Sequence, residues 1–176
     1  MTKPELIDAF RQRHLEFINY IILLSDAQFT FRKNGKWTAG QQLSHVHLTL
    51  LPFPKVLPSK EFILEKFGKI NRPAWSYETV IANYFKTSLQ SPEKFLPGEV
   101  RPEQKQIIAE EMKAVLLVIE KLLEQYTEED LDTLSLPHPL LGILSIREMF
   151  YLISYHPSHH LAQAKQGVDG MPGLTM

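Results

Sequence analysis

Between Pro102 and Gln125 the chain reads PEQKQIIAEEMKAVLLVIEKLLEQ, with Ile108, Met112, Val115, Ile119 and Leu122 recurring at alternating steps of four and three. An α-helix returns every third or fourth side chain to the same face, so these residues form one apolar stripe. Leu116 and Leu123 widen that stripe until it faces a bundle core rather than a single partner helix. No segment sustains the period-two alternation of a half-buried strand, and the fold is therefore expected to be all-α.

Start and stop signals place the other helices. Thr2 is a plausible N-cap, Pro4 suits a first turn, and a helix follows to about Leu24. Its stripe is Leu6, Phe10, Phe17 and Ile21, with His14 on the same face. Thr38 and Gln41 have capping-box spacing, which predicts helix from Ala39. In LPFPKVLPSKEF, Pro52, Pro54 and Pro58 each remove a backbone donor and break that helix before a short piece at Lys60–Phe67. Ser76 caps another helix, and SPEKFLPGEVRP reads as a loop. TEEDLDTLSLPHPLLGIL reads as an irregular linker, because Pro137, Pro139 and Gly142 interrupt it. Ser145 and Glu148 form a second capping box for the last helix, with Gly167 placed as its C′ residue. The expected architecture is a four-helix bundle with short extra helices and Pro-rich loops: one domain over residues 1–168 and a frayed tail over 169–176.

Charge and composition exclude several function classes. The 176 residues carry a formal net charge of −1 with no basic stripe, which argues against a nucleic-acid or acidic-membrane partner. The most apolar early run, FINYIILL, is far too short to span a bilayer, and the first residues lack the apolar core of a signal peptide. No cysteine is present, so disulfides, thiolate metal sites and a cysteine nucleophile are all excluded. A cytoplasmic protein acting on a small molecule is the expectation.

Three of the seven histidines fall within SYHPSHHLAQ. His156 and His160 are four residues apart, hence about 40° apart around a helix and about 6 Å along its axis. That spacing lets two imidazoles bind one metal ion from one face. His159 sits about 60° to the other side of His156, at a pocket rim or in solvent. A third ligand has to come from another element. Spacing leaves His45 and His47 both open, since residues two apart point about 200° apart and only one can face the site. His14 reads as a core histidine and His138, between Pro137 and Pro139, as a loop-packing residue. Among Trp37, Trp75, Tyr77, Tyr84 and Phe150, one or two are expected to wall a cavity.

WTAGQQLSHV in the second helix and HPSHHLAQ in the last, with LPHPLLGILSIREMFYLISYH leading in, resemble the DinB/YfiT-like superfamily, whose members are regarded as metalloenzymes. The likeness spans most of the chain in order, and its two halves together are far more specific than either alone. It implies a bundle in which His45, His156 and His160 hold a divalent metal, zinc or nickel foremost, and it is this likeness that prefers His45 over His47. Three protein ligands leave an open position, as in catalytic sites. Characterised relatives include thiol-dependent S-transferases and an isomerase, and dimers are common. The resemblance thus implies a metal-dependent S-transferase or hydrolase, a low-molecular-weight thiol as cosubstrate, and a homodimer; beside such a metal, His159 is the candidate proton shuttle. The alternative is a non-catalytic metal- or ligand-binding bundle serving as sensor or dimeric scaffold. Pro157 departs from the pattern, because it frees the carbonyl of Ile153 and is expected to kink the helix between the two ligands.

Overall fold

The Glu5 carboxylate accepts the backbone N–H of Thr2 (2.8 Å), and this cap starts α1, Lys3–Ile22, in the computed structural model, which describes residues 1–171. The stripe of Leu6, Phe10, His14, Phe17 and Ile21 is fully buried. Each large apolar side chain so buried contributes about 1.5–3 kcal/mol to the hydrophobic driving force. A short α2, Asp26–Thr30, follows and carries the buried Phe29. The predicted Thr38–Gln41 box opens α3, Ala39–Leu50, each residue accepting the other's backbone N–H at 3.1 Å.

The proline-rich stretch breaks the chain as anticipated into α4, Phe53–Val56, and α5, Lys60–Phe67. Gly68 stops α5 at φ 76°, a left-handed conformation that a side chain would disfavour. Ser76 caps α6, Tyr77–Phe85. A 3₁₀ turn at Pro102–Gln104 leads into α7, Lys105–Glu124. The most deeply buried stripe of α7 is Ala109, Met112, Leu116, Ile119 and Leu123, with Ile108, Val115 and Leu122 partly buried beside it. It is rotated from the predicted centre because α7 packs against both α1 and α3.

The expected irregular linker is instead regular. Thr127 caps α8, Glu128–Thr133, and a hairpin joins β1, Ser135–His138, to β2, Gly142–Ser145. The strands are antiparallel, with Ser135 opposite Ser145 and His138 opposite Gly142. Four-residue strands, one containing a proline, leave no alternation to read. Gly142, at φ 73°, supplies the left-handed residue that a three-residue hairpin loop requires.

The last helix, α9, spans Ile146–Asp169 and is continuous through Pro157. It also passes Gly167, the expected C′ residue, to end at Gly170. Val168 explains the extension, since it is buried and keeps the final turn against the core. The expected tail from residue 169 onward thus begins with a helical Asp169, and residues 172–176 of it lie outside the described residues.

Helices α1, α3, α7 and α9 form the four-helix bundle: α1 packs most closely on α9, and α3 packs on both α9 and α7. Helix α6 lies against α9 from outside. The start of α9 is tied down by the buried Glu148, which accepts from Arg72 (2.7 Å), the Trp75 N–H (2.6 Å) and the Ser145 N–H (2.9 Å). Arg147 beside it pairs with Asp132 and Glu128 of α8. Among the described residues no helix is long and apolar enough to cross a membrane.

Candidate metal centre

The register that these two caps impose on α3 and α9 brings His45, His156 and His160 together, all three buried. The Nε2 atom of His156 lies 3.2 Å from Nε2 of His45 and 2.9 Å from Nε2 of His160. Pro157 does not separate the α9 pair, whose ring centroids are 4.4 Å apart. His47 is turned toward α7, with Nδ1 4.0 Å from Glu111. Of the two histidines that spacing had left open, His45 is the one that meets the α9 pair.

Hydrogen bonds on the far side of two rings fix which nitrogen faces the centre. His45 donates Nδ1–H to the Phe95 carbonyl (2.8 Å), and His160 donates Nδ1–H to Oε1 of Gln42. Both Nε2 atoms therefore carry lone pairs. A neutral His156 can donate from Nε2 to at most one of them, which leaves the other contact lone pair against lone pair. Its Nδ1 is buried with no partner among the described residues. A cation accepting three lone pairs relieves this conflict. On one tetrahedral zinc ion, ligand nitrogens sit about 3.3 Å apart, close to the spacings seen here. The donor set fits a divalent metal.

Burial, and then the neighbouring imidazoles, hold His156 and His160 well below the usual histidine range. Burial also lowers His45, against the opposing Phe95 carbonyl. The rings are thus neutral near pH 7, the form in which a metal binds them.

All three line a cavity of about 920 Å³. Trp37, just before the α3 cap, forms one wall: its ring lies 4.9 Å from His45 and stacks at 6.2 Å on His160. Tyr84 lines the cavity too, whereas Phe150 is fully buried in the core and Trp75 lies beneath the Arg72 guanidinium at 3.6 Å. His159 lies outside the converging set but on the cavity wall. It accepts from Nε2 of Gln163 (2.8 Å), and Oε1 of Gln163 accepts from Nε2 of Gln42 (3.0 Å). A chain of hydrogen bonds thus runs from His160 through two amides to His159.

Three contributors escaped the sequence reading. Gln42 and Gln163 were missed because a glutamine in a helix carries no signal of its partner. His138 is more than loop packing, since it lines the cavity. Its Nδ1 accepts the backbone N–H groups of Leu140 and Leu141, both at 3.2 Å, and burial lowers its pKa to about 4. The ring is a neutral Nε2–H donor. His14 is buried as expected and donates from Nδ1 to the Phe10 carbonyl (2.7 Å), but its Nε2 has no partner among the described residues.

The comparisons agree with this architecture. The family model described as the DinB superfamily matches residues 6–164, from Leu6 in α1 to Ala164 in α9. Neither the search of curated proteins nor that of solved structures returned a match. With the family match running from the first bundle helix into the last, the chain belongs to the DinB superfamily.

Proposed function

We propose that the protein is a metal-dependent enzyme in which His45, His156 and His160 hold one divalent cation at the wall of the large cavity. The observation that carries this reading is the convergence of the three Nε2 atoms at a cavity that admits a small molecule. A purely structural site would instead be closed by a fourth protein ligand. Among the described residues, the converging group of candidate ligands contains only these three. Neutral imidazoles suit zinc and nickel. When bound, such an ion supplies Lewis acidity toward a small molecule entering from the cavity.

The chain's own groups have complementary tasks. Gln42 and the Phe95 carbonyl orient two of the rings. His138 offers a fixed N–H donor to an oxygen of the substrate. His159, held neutral by partial burial, takes or returns a proton at the cavity wall. The reaction class this serves is group transfer or hydrolysis. In the transfer case the thiol comes from a small cosubstrate, because the chain has no cysteine.

Elemental analysis of tag-free protein purified without chelator tests the reading. About one divalent ion per chain is expected, lost in His156→Ala, followed by turnover in a screen of thiol-transfer and hydrolytic substrates. Absence of metal, before and after titration with zinc and nickel, would sink the proposal. Metal without any turnover would leave a ligand-binding bundle.

A further inference from the structure

We propose that the cavity takes an amphiphilic organic anion, laid along α9 with its charged end toward the Lys36 turn and its apolar body toward the start of the helix. This rests on the metal-site reading only for what happens in the middle of the molecule.

Helix α9 lines the cavity from Met149 to Gly167, a length of about 27 Å at 1.5 Å per residue. The wall changes character along it. Near the start, Met149, Leu152 and Ile153 face the cavity together with Phe53, Val56 and Leu136. The three histidines follow in the middle. Beyond them the lining becomes Gln163, Gln166 and Gly167, with Lys33 and Lys36 from the turn before α3. Lys94 joins from beside Phe95, the residue whose carbonyl holds His45. Each end lies about 10 Å from the histidines, counted as seven residues of helix. A ligand anchored at the lysine end with its body running toward the start of α9 therefore reaches the histidines after about 10 Å.

The charge pattern is what selects an anion. The chain carries 19 basic and 20 acidic residues, yet among the described residues the cavity wall holds Lys33, Lys36 and Lys94 and no aspartate or glutamate. Among the described residues, none of the three lysines pairs with a carboxylate. Lys33 lies against Gly170, at the carbonyl end of α9, and the partial negative charge there offsets part of its own. Lys36 and Lys94, both exposed at the cavity rim, therefore supply most of the attraction there. A cationic ligand would find no counter-charge. A wholly polar one would leave the apolar half unfilled.

The test compares decanoate with decyltrimethylammonium, matched in chain length and opposite in charge. Binding is read by quenching of tryptophan fluorescence, since Trp37 lines the cavity, and by calorimetry. It is measured on the protein as purified, on chelated protein, and on the Lys36→Gln/Lys94→Gln double variant. Metal content is determined for every sample. Decanoate is expected to bind at least about tenfold more tightly than the cation, with the preference falling by about tenfold in the double variant or in high salt. The preference should survive chelation, because the lysines remain. Equal binding of the two probes, binding of neither, or an unchanged preference in the double variant would overturn the proposal. So would a preference that vanishes on chelation, which would assign the attraction to the metal. Protein that holds no metal as purified, takes up none on titration with zinc and nickel, and still shows the preference would sink the metal reading and leave this one standing.

Discussion

Gln42 shows how much a single amide can decide. Its Oε1 accepts the Nδ1–H of His160 while its Nε2 donates to Gln163 (3.0 Å), so its orientation is fixed from both sides. Replacement by leucine keeps the bulk and removes the acceptor, freeing the His160 ring to turn or change tautomer. Metal affinity is expected to fall about 10–100-fold, with little change in fold content, as measured by competition with a chromophoric chelator. Unchanged affinity would mean that packing alone orients the ring. Capping-box spacing from Thr38 marks Gln41, which spends its side chain on the helix cap, but nothing in WTAGQQLSH gives Gln42 its partner. The two adjacent amides act on different neighbours, and only the rotation of α3 within the bundle assigns the second. The likeness carried by the same motif did prefer His45 over His47, which spacing alone could not.

Helix positions were legible wherever a cap or a breaker stood next to a periodic run, as at Thr38, Ser76 and Ser145. They failed where tertiary contact overrode the local signal, as at Gly167, which stays helical because Val168 is buried beyond it. Gly40 carries the sharpest prediction for an element. A Cβ there would meet the Phe29 ring at 2.7 Å, and Phe29 is fully buried and cannot swing aside. Gly40→Ala should therefore destabilise the protein by about 1–3 kcal/mol, although alanine is the better helix former. Chemical denaturation measures this, and a stabilised variant would show that α2 yields easily. The displaced first turn of α3 lies five residues from His45, so a weaker metal affinity should accompany the loss.

For the molecule as a whole, the buried histidines make stability depend on pH in a defined direction. Burial lowers His14 to about 4, so in the folded state it stays neutral while the unfolded chain protonates near 6.5. Its contribution is complete above the unfolded pKa and is lost as pH falls from about 6.5 toward 4, by about 3 kcal/mol in all. His138, also lowered to about 4, acts in the same sense. Unfolding free energies at pH 7.5, 6 and 5 should decline steadily, and less steeply in His14→Gln. A flat profile over this range would contradict the burial argument. From the sequence alone came the four bundle helices, the caps at Thr38 and Ser145, the all-α bundle and the pair of histidines on one face of the last helix, because each depends on neighbours within about four residues. Tertiary structure decided the rest: the hairpin in the linker, the turn of His45 and away from it of His47, the two glutamines, and the polarity of the cavity. Those features depend on how one helix is rotated against another, which is set by packing between residues far apart in the chain.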